Sequence, residues 1–265
     1  MSALIVRRLT PTALAETVLG PEVETVVTNA HRNTLAARFR AVAIDRHRRL
    51  DAWSVESAGR PPAPFRWSPV TARRRLANAA LRRLATGARS IRLGVDLEIA
   101  ELVACAAEGR LGAGSLGAWL AARDPAELAV VRAAAADWAT TLAELSSAIQ
   151  GDWHVARADA YYDVERARTT LRARQDIIVG PHEAVVRVRG GEPSASAGPG
   201  LRADLVAATF ASDDGRAPRR YVGVWPDAGL LVALDGTMDN LRAGARDLVR
   251  TAVVQRQRWL RRDAA

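Results

Sequence analysis

After Gly151 the spacing of apolar residues along this 265-residue chain changes from helical to twofold. That change limits the fold more than any other feature. Leu171, Ala173, Ile177 and Val179 point one way while Arg172, Arg174 and Asp176 point the other. Ala184, Val186 and Val188 likewise oppose Arg187 and Arg189. An α/β (α+β) chain is expected: a helical region over 1–150 packed on a small mixed β-sheet, flanked by helices, over 151–265.

Local signals divide the first half. Thr10-Pro11 fits an N-cap with a first-turn proline, and Gly20-Pro21 ends that helix. From Glu22 to Ser57, Val23, Val26, Ala30, Phe39, Val42 and Trp53 recur at mostly helical intervals, with Arg32, Arg40, Arg46 and Arg49 on a polar side. One long helix, or two in tandem, is predicted. Pro61, Pro62 and Pro64 mark a linker over 58–68, because each lacks a donor and restrains its predecessor. Ser68-Pro69 restarts a helix that Gly87 stops. Asp124-Pro125-Ala126-Glu127 has the residues of a capping box for a helix reaching Ile149.

In the second half a loop over 190–200 leads to a helix from Leu201 to Ala211. Strands Tyr221–Trp225 and Leu230–Leu234 are joined through Pro226-Asp227-Ala228-Gly229. Leu241, Ala245, Leu248, Ala252 and Trp259 mark a closing amphipathic helix.

All 38 basic residues are arginine, against 29 acids, for a net charge of +9. A balance this basic favours polyanionic partners. A lysine-free, alanine-rich composition is also what GC-rich codons produce without selection for binding. The one cysteine, Cys105, has no intrachain partner and reads as a small buried hydrophobe. No stretch approaches about 20 uncharged apolar residues and the start lacks a secretory apolar core, so a cytoplasmic, non-membrane location is expected. His31, His47, His154 and His182 are scattered, without the spacing of a zinc site, and no P-loop, dinucleotide fingerprint or nucleophile elbow is present. Trp138, among Val131, Leu142 and Leu145, reads as core; Trp67 and Trp153 stand beside loops.

From Trp153 on, the order of strands, helix, two strands and closing helix resembles the RecB-type branch of the PD-(D/E)XK nuclease superfamily. Residues 170–179 are similar to the family strand ending in a metal-binding aspartate, and 184–193 to its D/E-x-K strand and turn. Residues 201–208 stand where the family helix usually carries glutamine and tyrosine, and 219–234 are similar to the hairpin after it. The resemblance implies a restriction-endonuclease-like core in which two carboxylates bracket a hard divalent cation and a lysine assists its water.

Asp176 fills the first carboxylate position, but Arg187 stands at the second and Arg189 at the lysine. Near Gly94, the histidine of some members is replaced by Asp96. A guanidinium does not ligate Mg²⁺, and its fixed charge opposes a cation nearby. The resemblance would make the two arginine-bearing strands neighbours, with Arg172, Arg174, Arg187 and Arg189 surrounding Asp176. Such a cluster reads either as a phosphate clamp or as a solvated face of weak ion pairs. Arg74 and Arg75, in the run Arg73-Arg74-Arg75, read either as part of a nucleic-acid-tracking ridge or as a solvated helix face.

Three functions follow as expectations. The first is an inactive nuclease-like protein, with no cofactor, binding DNA or other nucleic acid through these six arginines, as an accessory or protein partner in DNA processing. The second is a Mg²⁺-dependent nuclease recruiting Glu165, Glu183 or Asp204 beside Asp176. The third is a protein-interaction module with no nucleic-acid role.

Overall fold

The computed structural model describes residues 4–22, 24–58 and 66–263; Val23 and most of the expected linker, with Pro61, Pro62 and Pro64, lie outside them. The architecture is mixed α/β. A six-stranded sheet runs in the order β1 (Ile5–Arg8), β9 (Leu230–Asp235), β8 (Arg220–Trp225), β7 (Ala184–Val188), β6 (Ile177–Val179) and β3 (Trp153–Val155). Every neighbour is antiparallel except the pair β7 and β8. Between those two the chain crosses over as helix α8 (Ala197–Ala211), the kind of connection a parallel pair requires. A three-stranded sheet holds β2 (Arg48–Leu50), β5 (Thr169–Ala173) and β4 (Ala160–Val164).

Alternation along the large sheet feeds two cores. Ile177, Val179, Ala184, Val186 and Val188 pack towards α1 (Pro11–Val18), α4 (Pro69–Ala85), α5 (Ile91–Ala107), α6 (Leu116–Ala121) and α7 (Pro125–Ser147). Val185, Tyr221, Trp225 and Val232 face the opposite way, where α8, α2 (Asn29–Ala41), α9 (Met238–Asp263) and the small sheet form the second core. The short helix α3 (Ala52–Glu56) packs on α8 and α9.

The expected helix starts are where the caps are. Thr10 Oγ1 accepts from the Ala13 N–H at 3.0 Å, and Ser68 and Thr71 cap α4 reciprocally. Asp124 accepts from the Glu127 N–H at 2.8 Å, but the Glu127 carboxylate turns to Arg123 instead of completing the box. Gly87, at φ +108°, follows the end of α4 in a conformation that suits glycine. Trp138 is buried in the first core, and Leu241, Leu248 and Ala252 of α9 in the second. Among the described residues no helix is long and apolar enough to cross a membrane.

Five expectations need correction. Residues 1–150 are not purely helical, because β1 pairs with β9 and β2 runs parallel to β5. The stretch from Glu22 to Ser57 is not one or two continuous helices but α2, β2 and α3; Arg48 and Leu50 are buried with Arg49 exposed between them, a twofold pattern too short to stand out. Residues 170–179 are not one strand: at 174–176 the chain passes from the small sheet to the large one, sending Leu171 and Ala173 into one core and Ile177 and Val179 into the other. Finally, α8 begins at Ala197, inside the expected loop. Pro199 falls in its first turn, where the missing N–H has no helical partner to lose, and Gly200 leaves room for the Glu56 carboxylate, which occupies the place of a Cβ. Cys105 is half-buried, not buried.

Candidate functional site

Asp176 stands at the mouth of the β6–β7 hairpin. Its backbone N–H donates to Val186 O at 3.1 Å, and its carbonyl accepts from the Ala156 N–H at 2.9 Å. The side chain is equally committed: Oδ1 accepts from Asn78 Nδ2 of α4 at 2.5 Å and Oδ2 from the Val188 N–H at 2.7 Å. Burial pushes this carboxyl above the usual range, against the pull of the Val188 N–H and of Arg74, Arg187 and Arg174.

Arg187 and Arg189 lie on the α8 side of β7, and each meets an acid. Arg187, opposite Gly223 in the strand register, is buried and paired with Asp204 of α8, which has no exposure at all. Burial pushes the Asp204 carboxyl up to about 6 although Arg187 draws it down. Burial lowers the Arg187 pKa, but Asp204 beside it reverses that and keeps the guanidinium firmly charged. Arg187 Nε and Asp204 Oδ1 have no hydrogen-bond partner. Arg189 reaches both carboxylate oxygens of Glu56 and lies 5.0 Å above the centre of the Trp225 ring. That ring leaves no space for a side chain at Gly223, where a Cβ would sit 2.5 Å from it.

Arg172 is also neutralised. It pairs with Asp51, with Asp159 at 3.9 Å. Asp51 is at the same time the N-cap of α3, accepting from the Ser54 N–H at 2.9 Å. Burial raises its pKa, but that hydrogen bond and Arg172 more than offset the rise and leave it below the usual range.

Two arginines remain. Arg174, just past β5, and Arg74, on α4, are half-buried and make no hydrogen bond or ion pair; among the described residues no other partly buried arginine is left so. Burial first and Arg174 second push the Arg74 guanidinium down to about 10, against the pull of Asp176. Arg174 is lowered in the same way, by burial and then by Arg172 and Arg187. Arg174 bears on Arg74, and both bear on Asp176, so the two half-buried cations stand within electrostatic reach of one committed carboxylate.

The run Arg73-Arg74-Arg75 does not act as one ridge, since each residue turns about 100° around the helix. Arg73 grips both oxygens of Asp227 at 2.8 Å and stacks 4.1 Å from the centre of the Trp138 ring. Arg74 is half-buried and Arg75 is exposed. Of the four strand arginines, Arg187 and Arg174 are among the leading influences on Asp176, whereas Arg172 and Arg189 are held by α3. Strand β5, which carries Arg172, pairs with β2 and β4 rather than with β7.

The alternative acids are spent elsewhere. Asp204 is paired with Arg187, Glu183 with Arg219 at 3.1 Å and Glu165 with Arg166 at 3.4 Å. Asp96 pairs with Arg132 at 3.0 Å. His31 accepts from the Thr28 N–H, His47 lies 2.9 Å from Thr170 Oγ1 and His182 3.1 Å from Asp214. Among the described residues no three His, Cys, Asp or Glu side chains gather into a group that could hold a metal ion. A hard cation such as Mg²⁺ needs several oxygen ligands, and both oxygens of Asp176 are already hydrogen-bonded to Asn78 and Val188.

Asp51, Glu56 and Asn78 were not singled out from sequence. Asp51 and Ser54 spell a capping pair inside a stretch read as helix. Asn78 is a polar residue between the buried Ala77 and Ala79, a signal for a buried hydrogen bond. Glu56 carries no local signal.

No family model matches the chain, and neither does any curated protein or solved structure.

Proposed function

We propose that this chain is a catalytically inactive, nuclease-like protein that binds nucleic acid through its phosphates at Arg74 and Arg174, as an accessory of a DNA-processing complex. The reading rests on one observation: among the described residues these two half-buried guanidinia make no hydrogen bond or ion pair, while every other candidate arginine except the exposed Arg75 is answered by a carboxylate. A phosphate oxygen between them relieves their mutual repulsion and takes forked, charge-assisted hydrogen bonds. The carboxylate within their electrostatic reach, Asp176, has both oxygens occupied and orients rather than reacts.

The test is binding of a fluorescein-labelled oligonucleotide, followed by anisotropy over a salt series. Log affinity should fall with log salt, by about 0.9 per phosphate neutralised on duplex DNA, and the double variant Arg74→Ala/Arg174→Ala should lose both affinity and slope. Retention of both by that variant refutes the assignment. Cleavage of the oligonucleotide in Mg²⁺ or Mn²⁺, abolished by Asp176→Ala, would instead establish a metal-dependent nuclease.

A further inference from the structure

On the far side of the molecule from α4, a cavity of about 220 Å³ opens between α2, the end of α8 and the first turns of α9. Its floor is apolar, built by Val27, Leu35, Phe210, Leu241 and Ala245. Arg38, Arg242 and Arg246 also line it, all three exposed and none with a hydrogen bond or ion pair among the described residues. No carboxylate belongs to the lining. Arg242 and Arg246 are four residues apart on one helix face, where like charges repel and slightly weaken the helix. Three unanswered cations around an apolar hollow match a ligand with a negative end and an apolar body.

The size and the floor narrow its chemistry. A volume of about 220 Å³ is below the roughly 300–1,000 Å³ of sites for drug-sized ligands. The floor side chains offer no hydrogen bond to the edge of a base, and Thr34 at the margin already donates to Ala30 O at 2.8 Å. His31 accepts the Thr28 N–H on Nδ1 at 3.1 Å, which leaves Nε2–H as a single ring donor at the margin. A nucleobase would leave its polar edge unpaired against this floor, whereas a hydrocarbon chain has none to satisfy. We infer that the cavity binds a medium-chain acyl carboxylate, its chain against Leu35, Phe210, Leu241 and Ala245 and its carboxylate on Arg38, Arg242 and Arg246. This site shares no residue with the Arg74–Arg174 pair and does not depend on the function proposed there.

Calorimetric titration of the full chain with sodium decanoate, decanol and adenosine monophosphate tests it. Decanoate should bind one to one, and decanol about tenfold more weakly, because it lacks the charge. The exposed double substitution Arg242→Ala/Arg246→Ala should weaken decanoate by about tenfold and leave decanol unchanged. Ala245→Phe, which fills the cavity, should remove both. If Ala245→Phe does not fold, the arginine variant alone decides. No decanoate binding up to about 1 mM, equal affinity for decanol and decanoate, an unaffected arginine variant, or tighter binding of the nucleotide overturns the assignment.

Discussion

Two sets of arginines carry the candidate site, and they differ in what answers their charge. Arg172, Arg187 and Arg189 each meet a carboxylate supplied by α3 or α8, with both partners largely out of water. Arg74 and Arg174 are half-buried as well, but they make no hydrogen bond or ion pair among the described residues and feel Asp176 only at a distance. For the first set an incoming phosphate would have to displace an acid already in place, leaving that acid buried and unpaired. For the second set the phosphate is the missing partner. Residue type and spacing are the same in both; internal pairing separates structural arginines from receptive ones.

The sharpest way to break this contrast is to remove one partner of the paired set. Arg187→Ala should cost about 3–5 kcal/mol of stability in urea denaturation, because it strands Asp204 in the core. Replacing both, as Arg187→Met with Asp204→Leu, should recover most of that loss; equal stability of the single and double variants would show that the charges are not coupled.

Next in size is a pH effect confined to the paired set. The Asp204 carboxyl is raised from 3.8 to about 6, so the folded state holds its proton more tightly than the unfolded chain. Its contribution to stability is fully present below the unfolded value and is lost as pH rises through about 6. In Asp204→Asn, the change in stability between those two pH values should shrink by an amount on the order of 2–3 kcal/mol. A wild-type profile flat across that window contradicts it.

The unpaired set should respond the other way round. Arg74→Ala should weaken oligonucleotide binding about tenfold and lower the salt slope by about 1, with stability unchanged or raised because repulsion from Arg174 is relieved. Arg172→Ala should leave the slope alone and reduce stability. The smallest effect is expected for the exposed Arg75→Ala, within about 0.5 kcal/mol of wild-type stability and with a salt slope close to that of the wild type.

The charge chemistry was legible residue by residue, and its pairing was not. Asp176, Arg187 and Arg189 stand out in the sequence by alternation. Arg187 finds Asp204 17 residues on, but the partners of the other two paired arginines lie far along the chain: Asp51 is 121 residues from Arg172 and Glu56 is 133 from Arg189. A separation of that size leaves no local signature. The break between β5 and β6 was hidden for another reason: both sheets bury side chains of the same parity, so one uninterrupted alternation serves two cores.

Helix starts at Thr10, Ser68 and Asp124, the turn to β-structure after Gly151, and the excess of arginine belong to the sequence alone, because capping, alternation and charge act over a few residues. Which arginines are neutralised, where β1 and β2 find partners, and that Gly200 makes room for Glu56 were decided only when distant segments met. Burial, which sets the cost of an unanswered charge, exists only in the folded chain.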